Sequence, residues 1–398
     1  TLLFRMAVHY SLSGHFLILA ALWIWLLPNK SYNFVYWICL LIITAGVHAY
    51  LLAIVLLLAV SSVLNEIKKS KSILVVNPLF WYVKRIFLMS LVPISMWHYG
   101  YFSLSNSIAP SGFAQNNANL NTFINPVGWS FFLDDLPQRP GDQEGFSYLG
   151  LGAISLILIA VSCCIIRWQQ AKLILLKFKN LVFPLLILGG LAISNNIGIN
   201  DFVVRLIIPE FIQNNANLFR ANGRFIWPVY YIILLLSVII VYNFLNKKIA
   251  FLFFCAALAL QILDTSPGWI KLKHYDEKRV YSSRDLSDEL SSDWNALSSQ
   301  FSKLRLLEPR NIATDWAKVA LIAATFGFET DAVYLARIDE ARSDKLKSDT
   351  RQKLSRDRLD MDTIYVINEP LSTTKVNLGS RHYPRTIDDL DLLIPWIN

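Results

Sequence analysis

The chain has 398 residues, 54% of them hydrophobic, with 37 Lys/Arg against 29 Asp/Glu and a formal net charge of +8. The basic excess belongs to the apolar part: residues 1–263 hold 17 Lys/Arg and 7 Asp/Glu, whereas residues 264–398 hold 20 and 22. A pI near 9.2 therefore reports how apolar runs are flanked, carries no argument for nucleic acid as a partner, and leaves a membrane region followed by a near-neutral domain. The four cysteines, Cys39, Cys163, Cys164 and Cys255, all lie in apolar runs, so neither a disulfide framework nor a thiolate metal site is written here.

In chain order, Thr1–Tyr10 lacks the form of a signal peptide, and the chain reads as the C-terminal portion of a longer protein. Apolar runs then predict about seven spans, at residues 8–28, 35–63, 82–102, 148–166, 179–195, 224–245 and 248–264. The second is too long for one perpendicular span and must tilt, protrude or break near Gly46. A single alternating path collects Arg5, Glu66–Lys71, Lys84, Arg85, Arg167–Lys179, Lys247 and Lys248 on one side, which the cationic bias makes cytoplasmic. Two long loops, 103–147 and 196–223, and the tail 265–398 then face outward, and loops of that length carry function more often than not. Both contain a similar phrase, Phe113–Leu120 and Phe211–Leu218, read as chance in Asn-rich loops.

The tail alternates helical and strand patterns. Leu286–Phe301 and Asn311–Phe326 have helical character, and Arg337–Leu354 is a charged helix or a solvated hinge; Leu304–Leu307, Ala332–Arg337 and Thr363–Ile367 read as short strands. The fold class expected is an α-helical polytopic membrane domain (residues 1–264) followed by a small extracytoplasmic α/β domain (residues 265–398). No Gly-rich phosphate loop, nucleophile elbow or His/Cys cluster occurs in the tail.

Two clusters in the outward loops carry candidate chemistry. Arg220 and Arg224 bracket Asn222 and Gly223 at the mouth of the sixth run. If the helix extends back to residue 220 the two arginines share a face, and their guanidinium forks match phosphate oxygens. The competing reading has them snorkelling to lipid or pairing with Glu210 and Asp201. The second cluster is Asp134, Asp135, Asp142 and Glu144, just before Tyr148. Glu144 stands at headgroup depth, where a carboxylate can orient a sugar hydroxyl, accept a proton or hold a divalent ion; Asp134 and Asp135 are the weaker metal candidates, for Mg or Mn. The bland alternative is a solvated acidic loop bridged to Arg139 or to the arginine pair. His48 lies inside a span, where ionisable groups are functional candidates by default, against the commoner reading of a neutral histidine hydrogen-bonded to a neighbouring helix. His98, among aromatics, fits an interfacial belt, and His9 and His15 have no outward role.

The phrases Glu144–Gly152, Arg220–Pro228, His9–His15 with Phe16–Trp25, and His48-Ala49-Tyr50 resemble a bacterial family of large polytopic inner-membrane proteins similar in layout to GT-C glycosyltransferases. The resemblance runs over most of residues 1–240. It implies a bacterial inner-membrane protein that moves a sugar from a polyprenyl-phosphate donor to a glycan or lipid acceptor on the extracytoplasmic face, in cell-envelope synthesis. It also implies Arg220 and Arg224 on the donor phosphate with Asn222 turning the backbone around it, Glu144 with Tyr148 near the sugar, and a catalytic acidic residue upstream of Thr1. A lipid-linked glycan transporter or flippase, or a non-enzymatic envelope-assembly component, is the alternative.

Overall fold

A computed structural model describes residues 2–28, 33–70, 78–102, 113–217, 219–272, 290–311, 313–335, 340–368 and 381–396. The chain divides into two compact units. One is built from Thr1–Ser103 and Pro110–Asp276, the other mainly from Glu277–Asn398.

The first unit is helical: α1 (Leu2–Val8), α2 (His15–Leu26), α3 (Asn33–Val47), α4 (Ala49–Ser70), α5 (Pro78–His98), α6 (Leu151–Ile166), α7 (Trp168–Lys177), α8 (Lys179–Ile193), α9 (Glu210–Ala216), α10 (Trp227–Phe244) and α11 (Lys247–Asp264). A further helix, α12, spans Ser266–Leu272. A two-stranded antiparallel hairpin, β1 (Asn196–Ile199) and β2 (Phe202–Arg205), follows α8.

This architecture corrects the expectation of a seven-span, GT-C-like bundle. Among the described residues one helix is long and apolar enough to cross a membrane, the 23-residue stretch Asn222–Phe244 that joins a 3-10 turn to α10. The number rises to three if each of two bent pairs is one span: α6 with α7, bent by 117°, and α11 with α12, bent by 48°. The apolar stretches Tyr10–Leu26, Asn33–Val47 and Lys179–Ile193 are shorter, and crossing a hydrocarbon core of about 30 Å takes about 20 residues. Run length misled because it counts apolar residues across helix breaks. The run 8–28 is cut at Gly14 into a 3-10 turn and the 12-residue α2. The run 35–63 is two helices, α3 and α4, meeting at His48.

The chain turns back at that histidine. Gly14, just before α2, sits against both Val47 and Leu51. At the far ends, Asn33 donates to the Pro28 carbonyl and the Trp25 indole donates to Ser61 Oγ. Part of each run serves the packing inside the unit, where Ile18, Ala21, Leu51, Ile54, Val55 and Leu58 are wholly buried, while Phe16, Leu19, Trp23, Val35 and Ile43 stay exposed. The sequence placed a possible break near Gly46; it falls two residues later.

These contacts give the unit two ends. One holds His48, Leu191 and Asn222, the last donating to the Leu191 carbonyl at 2.7 Å. The opposite end holds Trp25, Ser61, and Asn180, whose side chain donates to Asn65 at 2.7 Å. Helices α6 and α11 cross closely because Gly152 has no side chain: a Cβ there would lie 2.1 Å from the Ala257 carbonyl oxygen and 2.7 Å from Gln261 Cβ.

The second unit holds a four-stranded sheet of order β3-β4-β6-β5, with β3 (Lys303–Leu306), β4 (Thr363–Val366), β5 (His382–Ile387) and β6 (Leu390–Pro395). β3 and β4 are parallel and the remaining pairs antiparallel. Helices α13 (Asp293–Ser298), α14 (Trp316–Phe326) and α15 (Glu340–Ser355) complete it. Trp294, Leu304, Val319, Ile322, Ile364 and Leu392 form a fully buried core. The expected strand at 332–337 does not form over its described residues, 332–335, and the first four residues of the expected helix Leu286–Phe301 lie outside the described ones.

Substituting Gly152 by Val should drive a branched side chain into α11. Overpacking of this kind costs about 1–3 kcal/mol, to be seen as a lowered thermal midpoint of the purified chain; an unchanged midpoint would show that the α6–α11 contact can relax.

Candidate functional site

The sequence places Glu144 and Arg224 80 residues apart, and two glycines bring them together. Glu144 lies in a 3-10 turn, Asp142–Gly145, and Arg224 in another, Asn222–Ile226. Where the turns touch, a Cβ on Gly223 would lie 2.7 Å from the Gly145 nitrogen and 2.9 Å from its Cα, and one on Gly145 would lie 2.6 Å from Ala118 Cα. The neighbours are backbone atoms, so no side-chain rotation relieves such a clash, and only glycine permits the approach.

At this junction Arg224 Nε donates to Glu144 Oε2 at 2.9 Å. The same oxygen is 2.9 Å from Arg5 Nη1. Arg5 Nη2 donates to the backbone carbonyls of Gln143 and Glu144, at 3.0 and 2.8 Å. Arg5 is 2% exposed and Arg224 8%. Two guanidinium groups thus share one carboxylate, and the buried cluster keeps a net charge of +1. Arg224 lies over the Tyr50 ring, 4.7 Å from its centroid, and Arg5 over Trp227 at 5.5 Å. Tyr50 also accepts a hydrogen bond from the Ala221 amide at 2.7 Å, holding the turn against α4.

The electrostatics follow from burial and pairing. Burial pushes the Glu144 carboxyl up, but the Arg224 hydrogen bond and the charges of Arg5 and Arg224 outweigh it and hold the group below its ordinary value. Burial lowers Arg5 to about 10, with Glu144 opposing and Arg224 adding to the fall, which leaves Arg5 charged at neutral pH. His9 is exposed and within electrostatic reach; burial of part of its ring and the nearby Arg224 charge lower its pKa.

The other side chains singled out from the sequence fall in different places. Arg220 is exposed and its backbone carbonyl accepts from Asn116. It does not share a helix face with Arg224, because Ala221 takes φ −115° and ψ 61° and the helical turn begins only at Asn222. Asn222 is fully buried and donates to Leu191 O, a pin between α8 and the turn. Tyr148 donates to Asp264 at 2.7 Å, which also accepts from the Leu151 amide; this network anchors α6 to α11 and leaves Tyr148 outside the Glu144 cluster. His48 accepts at Nδ1 from the Tyr50 amide at 3.1 Å and stands within electrostatic reach of Arg224 and Glu144.

Asp142 is buried against Arg139 at 2.7 Å and takes a hydrogen bond from Asn119. It follows the structural alternative weighed for the acidic loop. Asp134 and Asp135 are exposed, with Asp135 accepting from the Gly128 amide. Among the described residues no group of three His, Cys, Asp or Glu side chains is placed to hold a metal.

Sequence reasoning missed two members. Arg5 was assigned to the opposite side of the membrane by counting spans, although its ion pair with Glu144 requires the same end. The sequence assigns His15 no outward role, yet it is fully buried, 2.8 Å from the Tyr231 hydroxyl and 4.3 Å from Trp227 between ring centroids. The signal available was the presence of two histidines and an arginine within fifteen residues of an otherwise apolar opening.

The fold and site define a helical protein with a buried, net-cationic Arg–Glu–Arg cluster at the start of the stretch Asn222–Phe244, which is long and apolar enough to cross a membrane. The chain belongs to the family described as Domain of unknown function (DUF6311), whose sequence model matches residues 1–266, and the DUF6311 C-terminal domain matches residues 293–395. No curated protein and no solved structure matches it.

Two outcomes are expected here. Glu144→Gln leaves Arg5 buried without its carboxylate, and breaking a buried pair costs about 3–5 kcal/mol, measurable by chemical denaturation. Because Glu144 has its pKa depressed on folding, its contribution is fully present above the unfolded carboxylate pKa of about 4.3 and is lost as pH falls through the lower folded value. The wild-type stability should therefore drop more steeply below that pH than that of the Glu144→Gln variant; parallel curves would show that the pair contributes nothing.

Proposed function

We propose that the Arg5–Glu144–Arg224 cluster binds the phosphate of a polyprenyl-phosphate-linked sugar, and that the chain is a membrane glycosyltransferase of cell-envelope glycan synthesis. The observation that carries this reading is the unfilled capacity of Arg224. Its Nε is committed to Glu144, while Nη1 and Nη2 have no hydrogen-bond partner among the described residues. A guanidinium at the start of a helix also faces the positive end of the macrodipole. One carboxylate shared by two guanidinium groups leaves that end short of negative charge, and a phosphate oxygen supplies it with two-pronged geometry.

The location supports a lipid-linked ligand. Arg224 lies in the first turn of the membrane-capable stretch Asn222–Phe244, so a phosphate bound there leaves its polyprenyl chain alongside apolar helix. In transfer the sugar–phosphate bond breaks and charge accumulates on the departing phosphate, which fixed guanidinium groups stabilise. Glu144, held ionised below its ordinary pKa, is suited to positioning the arginines and a sugar hydroxyl and ill suited to abstracting a proton at neutral pH. The site faces the extracytoplasmic side of a bacterial inner membrane in this reading.

The test is sugar transfer from polyprenyl-phosphate donors by the purified chain in nanodiscs. Arg224→Ala should lower kcat/KM by about 10²–10³-fold, the loss usual for one donor to a developing oxyanion, while Arg220→Ala, on an exposed residue, stays within about twofold. Equal activity in Arg224→Ala and wild type would overturn the assignment. Donor binding that depends on Arg224 without any transfer would reassign the site to a lipid-linked glycan transporter.

A further inference from the structure

We propose that α7 lies in the headgroup layer of an anionic lipid bilayer and anchors the end of the first unit opposite the Arg–Glu–Arg cluster. The inference rests on the membrane location proposed above and concerns a different face of the molecule. At Arg167 the chain turns by 117° between α6 and α7. Arg167 donates to the Phe244 carbonyl, closing the C-terminal end of α10. With α10 crossing the bilayer in this reading and α6 packed against it, α7 runs across their ends, closer to the membrane plane than to its normal.

The surface of α7 has the composition of an interface. Ala171 is fully buried, and Ile174 packs with it against α10. Outward stand Trp168, Leu173 and Leu176, at 55, 66 and 46% exposure, interleaved with exposed Gln169, Lys172 and Lys177. Apolar side chains on a short exposed helix need a non-aqueous neighbour. An indole beside lysines is the arrangement that sits at the boundary, with the ring at headgroup depth and the amines reaching to phosphate.

The charge decides which lipid. Arg167, Lys172, Lys177, Lys179, Lys247 and Lys248 are all exposed at this end and none forms an ion pair among the described residues. No Asp or Glu occurs in residues 152–200 or 211–263, and α4, which also reaches this end, brings a single acid, Glu66, against Lys68 and Lys69. Lys247 and Lys248 also border a shallow groove continued by Phe251 and Leu252, a slot with a cationic rim and an apolar floor. Six unbalanced cations beside apolar surface match acidic headgroups with their acyl chains.

The experiment uses the full chain in nanodiscs of phosphatidylcholine alone or mixed with phosphatidylglycerol. Subtracting the emission of Trp168→Phe from wild type isolates the Trp168 signal. That signal should be quenched by lipid brominated near the headgroup and protected from aqueous iodide. Lys172→Glu with Lys177→Glu should reduce the phosphatidylglycerol retained on detergent extraction several-fold. Iodide quenching of Trp168 in a chain that resists carbonate extraction would overturn the α7 assignment while leaving the membrane reading intact. Extraction of the wild-type chain by carbonate would overturn both. Unchanged lipid retention in the charge-reversed chain, with Trp168 iodide-accessible, would point instead to an acidic protein partner on this face.

Discussion

One carboxylate holds together the end of the first unit that carries the Arg–Glu–Arg cluster. Glu144 reaches the chain through a loop, Arg5 through the first helix and Arg224 through the opening of α10, and all three meet at a single oxygen. A buried charge is costly unless it is paired and hydrogen-bonded, and here the requirement is met twice. The Arg5 guanidinium spends its second terminal nitrogen on two carbonyls of the Glu144 turn. The carboxylate therefore fixes the turn that carries it, and the arginines fix the carboxylate. Removing the carboxylate strands both arginines in a medium of low polarity.

This constraint reaches outward through the backbone. The two 3-10 turns can approach only because Gly145 and Gly223 face each other. The loop that delivers Glu144 is held by asparagine side chains: Asn117 donates to the carbonyls of Ile193 and Asn196, and Asn119 to Asp142 and the Asn200 carbonyl. Asparagine suits this work because one amide both donates and accepts across irregular backbone. The site is thereby built on a pinned loop, and the spare donors of Arg224 are presented in a fixed direction, as the phosphate-binding role proposed for them requires.

Some of this was legible without coordinates. Glu144 and Arg224 stood out because charge is rare in residues 1–263, and each sits beside a glycine at the edge of an apolar run. Arg220 stood out for the same reason and went elsewhere, since a single non-helical residue, Ala221, rotates it off the face of Arg224. The phrases Phe113–Leu120 and Phe211–Leu218 look alike but diverge: in the first, Asn117 and Asn119 are buried in a loop, and the second falls largely in helix α9. Tertiary partners, absent from any local window, decide between those conformations. The hairpin β5–β6 was not anticipated either; it turns on Asp388 and Asp389, both at positive φ, a conformation that aspartate tolerates but does not advertise as glycine would.

The sequence by itself determined the division into an apolar, cationic part and a near-neutral mixed domain, because composition is additive and needs no partner. It also marked the few charged groups whose burial demands an explanation. Only the tertiary structure decided how the apolar runs are used. The longest of them turns back at His48, the run 148–166 ends at a 117° bend at Arg167, and among the described residues one helix has the length and apolarity of a membrane span. Hydrophobicity measures the cost of exposure to water but not what replaces it. A packed helix and a lipid tail relieve that cost alike, so the same residues serve either, and only the contacts between segments settle which. The same holds for Arg5, whose place beside Glu144 depends on the path of every helix between them.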